Sequence, residues 1–200
     1  MKTRIISFAL ASAVSLSLAA CSMGSMNARD SMASADMQAG ASNPMVGGAA
    51  MLRSRDIIEN AVNSADHTTL VAAVKAAGLV DTLKSAGPFT VFAPTDAAFA
   101  KLPAGTVDTL LMAQNKPMLT SVLTYHVVPG RIDAAELGRR IRAGGGSAML
   151  TTAQGGMLTA RMRGNDVVIV DAHGNTSVVT TADVYQSNGV IHVVDTVLMP

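Results

Sequence analysis

Tryptophan is absent from this chain and aromatic residues make up only 3 % of it, so the stacking platforms of single-strand nucleic-acid binders have little to be built from. Cysteine occurs once, at Cys21, which excludes an internal disulfide. A dominant charge is missing as well: 15 Lys and Arg stand against 14 Asp and Glu, and nucleic acid, which needs a concentrated basic surface, is not an expected partner. Long apolar runs are confined to the N-terminus. No later window approaches the roughly 20 apolar residues that span a bilayer.

That N-terminal run carries a clear signature. Lys2 and Arg4 precede an uncharged stretch, Ile5 to Ala20, that is apolar apart from four serines. It is short for a permanent anchor and has the basic start, apolar middle and small-residue end of a secretory signal, expected over residues 1–20. The end reads Leu18-Ala19-Ala20-Cys21 and resembles the bacterial lipobox, in which the cysteine is lipidated before cleavage. Ordinary cleavage after Ala19 is the alternative, but a lone cysteine in an exported chain asks for a role of its own. Ser22, rather than Asp, follows Cys21. The lipobox resemblance then implies anchoring to the bacterial cell envelope, at the outer membrane or facing the periplasm, and secretion if no lipid is added. Loss of Lys2 and Arg4 leaves 13 basic against 14 acidic residues, so the mature chain is near neutral.

Residues 21–52 have the composition of a tether. They are rich in Ser, Ala, Gly, Asn and Met, and carry neither a period of 2 nor one of 3.6. From residue 53 to 200 the character is that of one folded domain. Its first half reads as helical: Ile57, Ile58, Ala61 and Val62 form one apolar face, and Leu70, Val71, Val74 and Ala77 another, with Gly78 as a stop. Phe89–Ala93 reads as a strand closed by Pro94, with Thr95 as N-cap of the next helix and Asp96 in its first turn. Further helices are expected over Val107–Met112 and Met118–Leu123, and a strand over Tyr125–Val128. Five strand-like segments between Ala148 and Leu198 are separated by Gly155-Gly156, Gly164-Asn165, Gly174-Asn175 and Asn188-Gly189. Helices followed by strands at hairpin spacing point to an α+β domain.

Three segments carry a family resemblance. They are Thr90-Val91-Phe92-Ala93-Pro94-Thr95-Asp96-Ala97-Ala98-Phe99 with Leu102-Pro103; Leu123-Thr124-Tyr125-His126-Val127-Val128-Pro129-Gly130; and Asn188-Gly189-Val190-Ile191-His192-Val193-Val194-Asp195-Thr196-Val197-Leu198-Met199-Pro200. In this order and spacing they resemble the two boxes and the central Tyr-His motif of the fasciclin domain, over about Ser54 to Pro200. The resemblance implies a single domain of mixed helices with a wedge-like β-sandwich. It also implies an adhesion or extracellular interaction role, toward a protein or glycan of a cell surface or matrix, and no catalytic centre or cofactor. The residues it marks as structural or adhesive are Thr95, Asp96, Tyr125, His126, Asn188, Gly189, His192 and Asp195.

The same residues have readings of their own. Phe89, Val91 and Ala93 point to one side of their strand and Thr90 and Phe92 to the other. The final strand is apolar on both faces, so His192 and Asp195 would each need a hydrogen bond if buried. His126 reads as an imidazole tied to a backbone carbonyl or to Asp96; Tyr125 as a core aromatic or part of an adhesive patch. His67, His126, His173 and His192 come with no hydrolase elbow, zinc signature or ligand pair, and no metal or catalytic site is expected. The Met-rich tether admits Cu(I), whose soft character suits thioethers, though its spacing is irregular. A periplasmic or surface carrier of a small apolar ligand or Cu(I) is the rival function. Arg131, Arg139, Arg140, Arg142, Arg161 and Arg163 read as a solvated loop and hairpin, or as a patch for an anionic partner.

Overall fold

The computed structural model of the chain describes residues 43–200. The expected signal, Cys21 and most of the expected tether lie outside the described residues. Residues 43–52, assigned to the tether by composition, are a different matter. Met45–Val46 (β1) and Ala49–Ala50 (β2) pair antiparallel about Gly47-Gly48. Val46 and Met51 are 8 % and 2 % exposed and sit in the core, so the folded body takes in residues before 53. Two apolar side chains among small residues suffice to dock a hairpin, and composition does not register them.

Helices make up the next part. Ile57–Asn63 (α1) begins with a capping box: Glu59 N–H donates to Asp56 Oδ1 at 2.8 Å, and Asp56 N–H to the Glu59 carboxylate at 3.3 Å. Thr68–Ala77 (α2) stops at Gly78, whose φ of 75° closes the helix in a left-handed turn. Val80–Lys84 (α3) leads to strand Phe89–Pro94 (β3). Asp96–Ala100 (α4) is capped by Thr95, and Thr106–Leu111 (α5) and Lys116–Tyr125 (α6) follow.

Val127–Pro129 (β4) is shorter than expected, because Tyr125 closes α6 and His126 is its C-cap. Ala134–Ala143 (α7) stands where the Arg-rich segment was read as a loop. Its signals were present: Asp133 caps it, Leu137 and Ile141 stand four apart and are buried, and Arg140 and Arg142 fall in the last turn. Four arginines across the stretch masked a stripe only two side chains wide.

The strands Ser147–Thr151 (β5), Met157–Arg163 (β6), Asp166–Val170 (β7), Thr176–Gln186 (β8) and Gly189–Val194 (β9) complete a seven-stranded sheet ordered β4-β3-β9-β8-β7-β6-β5. All pairs are antiparallel except β3 with β9. Register shifts in β8 between Val179 and Val184 bend the sheet there. The far strands then nearly close on each other: Ala153 N–H, just past β5, donates to the Val127 carbonyl of β4 at 2.7 Å. One core lies between helices α1–α6 and the β3/β9 face, holding Val91, Ala93, Phe99, Ile191 and Val193. The other fills the bend and is covered by α7, holding Phe92, Tyr125, Leu137, Leu158, Ile169 and Val194. The two-sided reading of β3 therefore corresponds to two cores, with Phe92 in one and Phe99 in the other.

Candidate functional site

The motif residues lie around β3, β9 and the α6–β4 junction; Tyr125, His126, Asn188, Gly189 and His192 are buried, and Thr95, Asp96 and Asp195 half-buried. Asp96 turns from α4 to the start of α2, accepting from Thr68 Oγ1 at 2.6 Å, Thr68 N–H at 3.2 Å and Thr69 N–H at 2.8 Å. Burial raises the Asp96 pKa, but these bonds outweigh it and hold the carboxyl below its ordinary value. Thr95 caps its own helix through Ala98 N–H at 3.2 Å. Asn188 ties three segments, accepting from Ile57 N–H at 3.1 Å and donating to the carbonyls of Leu83 at 2.7 Å and Ser85 at 3.0 Å. Gly189 leaves no room for a side chain: a Cβ there would lie 2.2 Å from the Phe89 carbonyl oxygen.

Tyr125 is fully buried. Its hydroxyl donates to the Met157 carbonyl at 2.8 Å and accepts from Ala172 N–H at 3.0 Å, joining α6 to the far half of the sheet. Of its two readings, the core aromatic holds. His126 is buried beside it and bonds the backbone rather than Asp96. Its Nε2 accepts from Leu198 N–H at 3.0 Å, so the proton sits on Nδ1, which donates to the Val122 carbonyl at 2.8 Å. Burial drives the pKa of His126 down to about 4. His192 is arranged alike, with Nε2 on the Ile132 carbonyl at 2.8 Å and Nδ1 accepting from Asp183 N–H at 3.4 Å, and burial lowers its pKa too. Its ring stacks on Phe92 at 5.6 Å between centroids. Asp195 accepts from Val178 N–H at 2.7 Å and pairs with Lys101 at 3.1 Å.

These eight residues hold strands, helix ends and chain terminus together; they do not converge on a common point in solvent. Sequence reasoning missed a further anchor. Asp171 accepts from His173 N–H and Asn175 N–H, both at 2.9 Å, and from Met199 N–H at 3.1 Å, pinning the C-terminal segment. Only the turn signal Gly174-Asn175 pointed to it. His67, buried, meets Ser64 Oγ at 2.8 Å through Nδ1, while its Nε2 has no partner, and burial lowers its pKa. Among the described residues, no group of three His, Cys, Asp or Glu side chains stands ready to hold a metal ion.

Two concavities stand out among the described residues. An apolar cavity of about 90 Å³ lies within the helix-covered core, against Leu70, Val74, Leu123 and Ile191. An open groove of about 780 Å³ runs between α7 and β6–β7, lined by Gly138, Arg139, Arg142, Met162 and Val167. Four of the six arginines are engaged separately. Arg131 donates to the Gln186 carbonyl at 3.3 Å, Arg139 and Arg140 share Glu136, and Arg142 faces the groove.

A family model described as the Fasciclin domain matches residues 65–200. Protein sll1483 of Synechocystis is 44 % identical over 169 residues, covering 84 % of this chain and 87 % of that protein. The cell surface glycolipoprotein MPB83 of Mycobacterium bovis is 33 % identical over 169 residues, covering 82 % and 69 %. Among solved structures, a FAS1 domain pair from the insect cell adhesion molecule fasciclin I superposes with a TM-score of 0.64 at 22 % identity. That match covers 73 % of this chain and 51 % of the pair, so the chain spans about half its length.

Proposed function

This chain belongs to the fasciclin domain family, and from that premise we propose that it is a non-catalytic adhesion or interaction module held at a bacterial cell envelope by lipid on Cys21. The observation that carries the reading is how the motif residues are used. The motif imidazoles, His126 and His192, are bonded to backbone carbonyls and sealed inside, and burial lowers the pKa of both. What such a domain offers a partner is its outer surface, including the groove along α7. The Leu-Ala-Ala-Cys sequence and the likeness to a glycolipoprotein support anchoring. Partners are a surface or matrix protein or glycan.

The carrier reading has a cavity in its favour, but a small one. Ligand pockets run from roughly 300 Å³ upward, and the apolar space here is about 90 Å³. The test is cell attachment. Cells producing the full chain should bind a matrix-coated surface better than cells without it, and Cys21→Ala should release the protein and abolish the gain. Equal attachment with and without the chain overturns the reading.

A further inference from the structure

Folded proteins always leave some large apolar side chains on their surface, drawn from whatever types the sequence holds. Here the selection is narrow. Among the described residues, the exposed large hydrophobics are Val62 and six methionines: Met45, Met112, Met118, Met149, Met157 and Met162, between 44 % and 64 % exposed. No described leucine, isoleucine, phenylalanine or tyrosine is exposed. Methionine differs from leucine in its unbranched, flexible chain and in its thioether sulfur, and the sulfur is the group that reacts.

Three uses of exposed thioethers compete: a plastic docking patch, a soft-metal site, and reaction with oxidants. The first two need the side chains together. These six are scattered over β1, the end of α5, α6, β5 and β6. Met149 and Met157 share one sheet face as diagonal neighbours, Met149 lying opposite Thr159 and Met157 opposite Thr151. Met162 is odd in register with Met157 and lines the α7 groove. Dispersed, exposed sulfurs that act singly fit the third use.

We propose that these methionines are sacrificial oxidation sites for two-electron oxygen-transfer oxidants such as hypochlorous acid. The sulfur lone pair attacks the oxidant, the oxygen ends on sulfur, the oxygen–chlorine bond breaks, and chloride and a proton are released. Sulfur is oxidised by two electrons and chlorine is reduced by two. The product, methionine sulfoxide, is polar and damages a core but not an exposed position. The placement follows that logic: the methionines in or against the core, Met51 at 2 % exposed and the partly buried Met199, are not among the six.

The test titrates the folded full chain with hypochlorous acid and maps oxygen additions by mass. The six exposed methionines should be converted before Met51, with the thermal midpoint unchanged. A variant with all six replaced by leucine should lose those additions, and cells producing it should survive hypochlorous acid less well than cells producing the parent at equal level. If the six-fold variant fails to fold, each single Met→Leu variant must remove one addition and part of the protection. Oxidation of Met51 in step with the others, unfolding on oxidation of the six, or equal survival overturns the proposal.

Discussion

His126 shows how a single side chain sets the acid limit of this fold. Its ring is neutral and buried, with folded pKa about 4 against an ordinary 6.5. The unfolded chain therefore binds the proton more tightly. Stability from this residue is complete above pH 6.5 and is lost progressively as pH falls toward 4, by about 3 kcal/mol in all. His67 and His192 shift in the same direction and add to the loss. Thermal midpoints should fall steadily between pH 7 and pH 4.5; a flat profile would contradict the buried neutral imidazole. Phe92 offers a second test at this scale. It is fully buried and stacked on His192, so Phe92→Ala should cost about 3–5 kcal/mol, read from a denaturant curve.

Among the elements, α7 is informative because the sequence reading overlooked it. A mid-helix glycine costs roughly 0.5–1 kcal/mol relative to alanine. Gly138 has no turn to make, and a Cβ there would meet only the flexible Arg142 guanidinium at 3.4 Å, an ordinary contact. Gly138→Ala should thus raise stability by about that amount, visible as a higher urea midpoint. A loss would show that the Arg142 side chain cannot move aside. Three helix ends owe their place to legible local chemistry: Asp56 with Glu59, Thr95, and Gly78 each stand where capping rules place them. Asp96 is different. It sits in the first turn of its own helix, as read, yet its bonds go to α2, which no local rule foretells.

For the whole molecule, the weight of the N-terminal hairpin in the fold has a measurable answer. A chain starting at residue 43 keeps that hairpin. One starting at residue 53 loses Val46 and Met51 from the core, and with full burial of such side chains worth about 1.5–3 kcal/mol each, it should be weaker by about 3 kcal/mol or more. Equal stability would return residues 43–52 to the tether.

Features legible in the sequence were local or periodic: turn dipeptides, helix caps, the two-faced strand β3, the α+β class and the three segments of the fasciclin resemblance. These depend on neighbours a few residues apart, so they are written in short windows. Tertiary structure alone decided that Tyr125 reaches Met157 and Ala172, that His126 meets Leu198 rather than Asp96, and that Asn188 joins Ile57 to Leu83 and Ser85. It also decided that, among the described residues, six methionines and none of the leucines are left in solvent. A buried polar group takes whichever backbone partner the packed chain brings to it, and exposure is a property of the packing; neither is encoded in the residue that bears it.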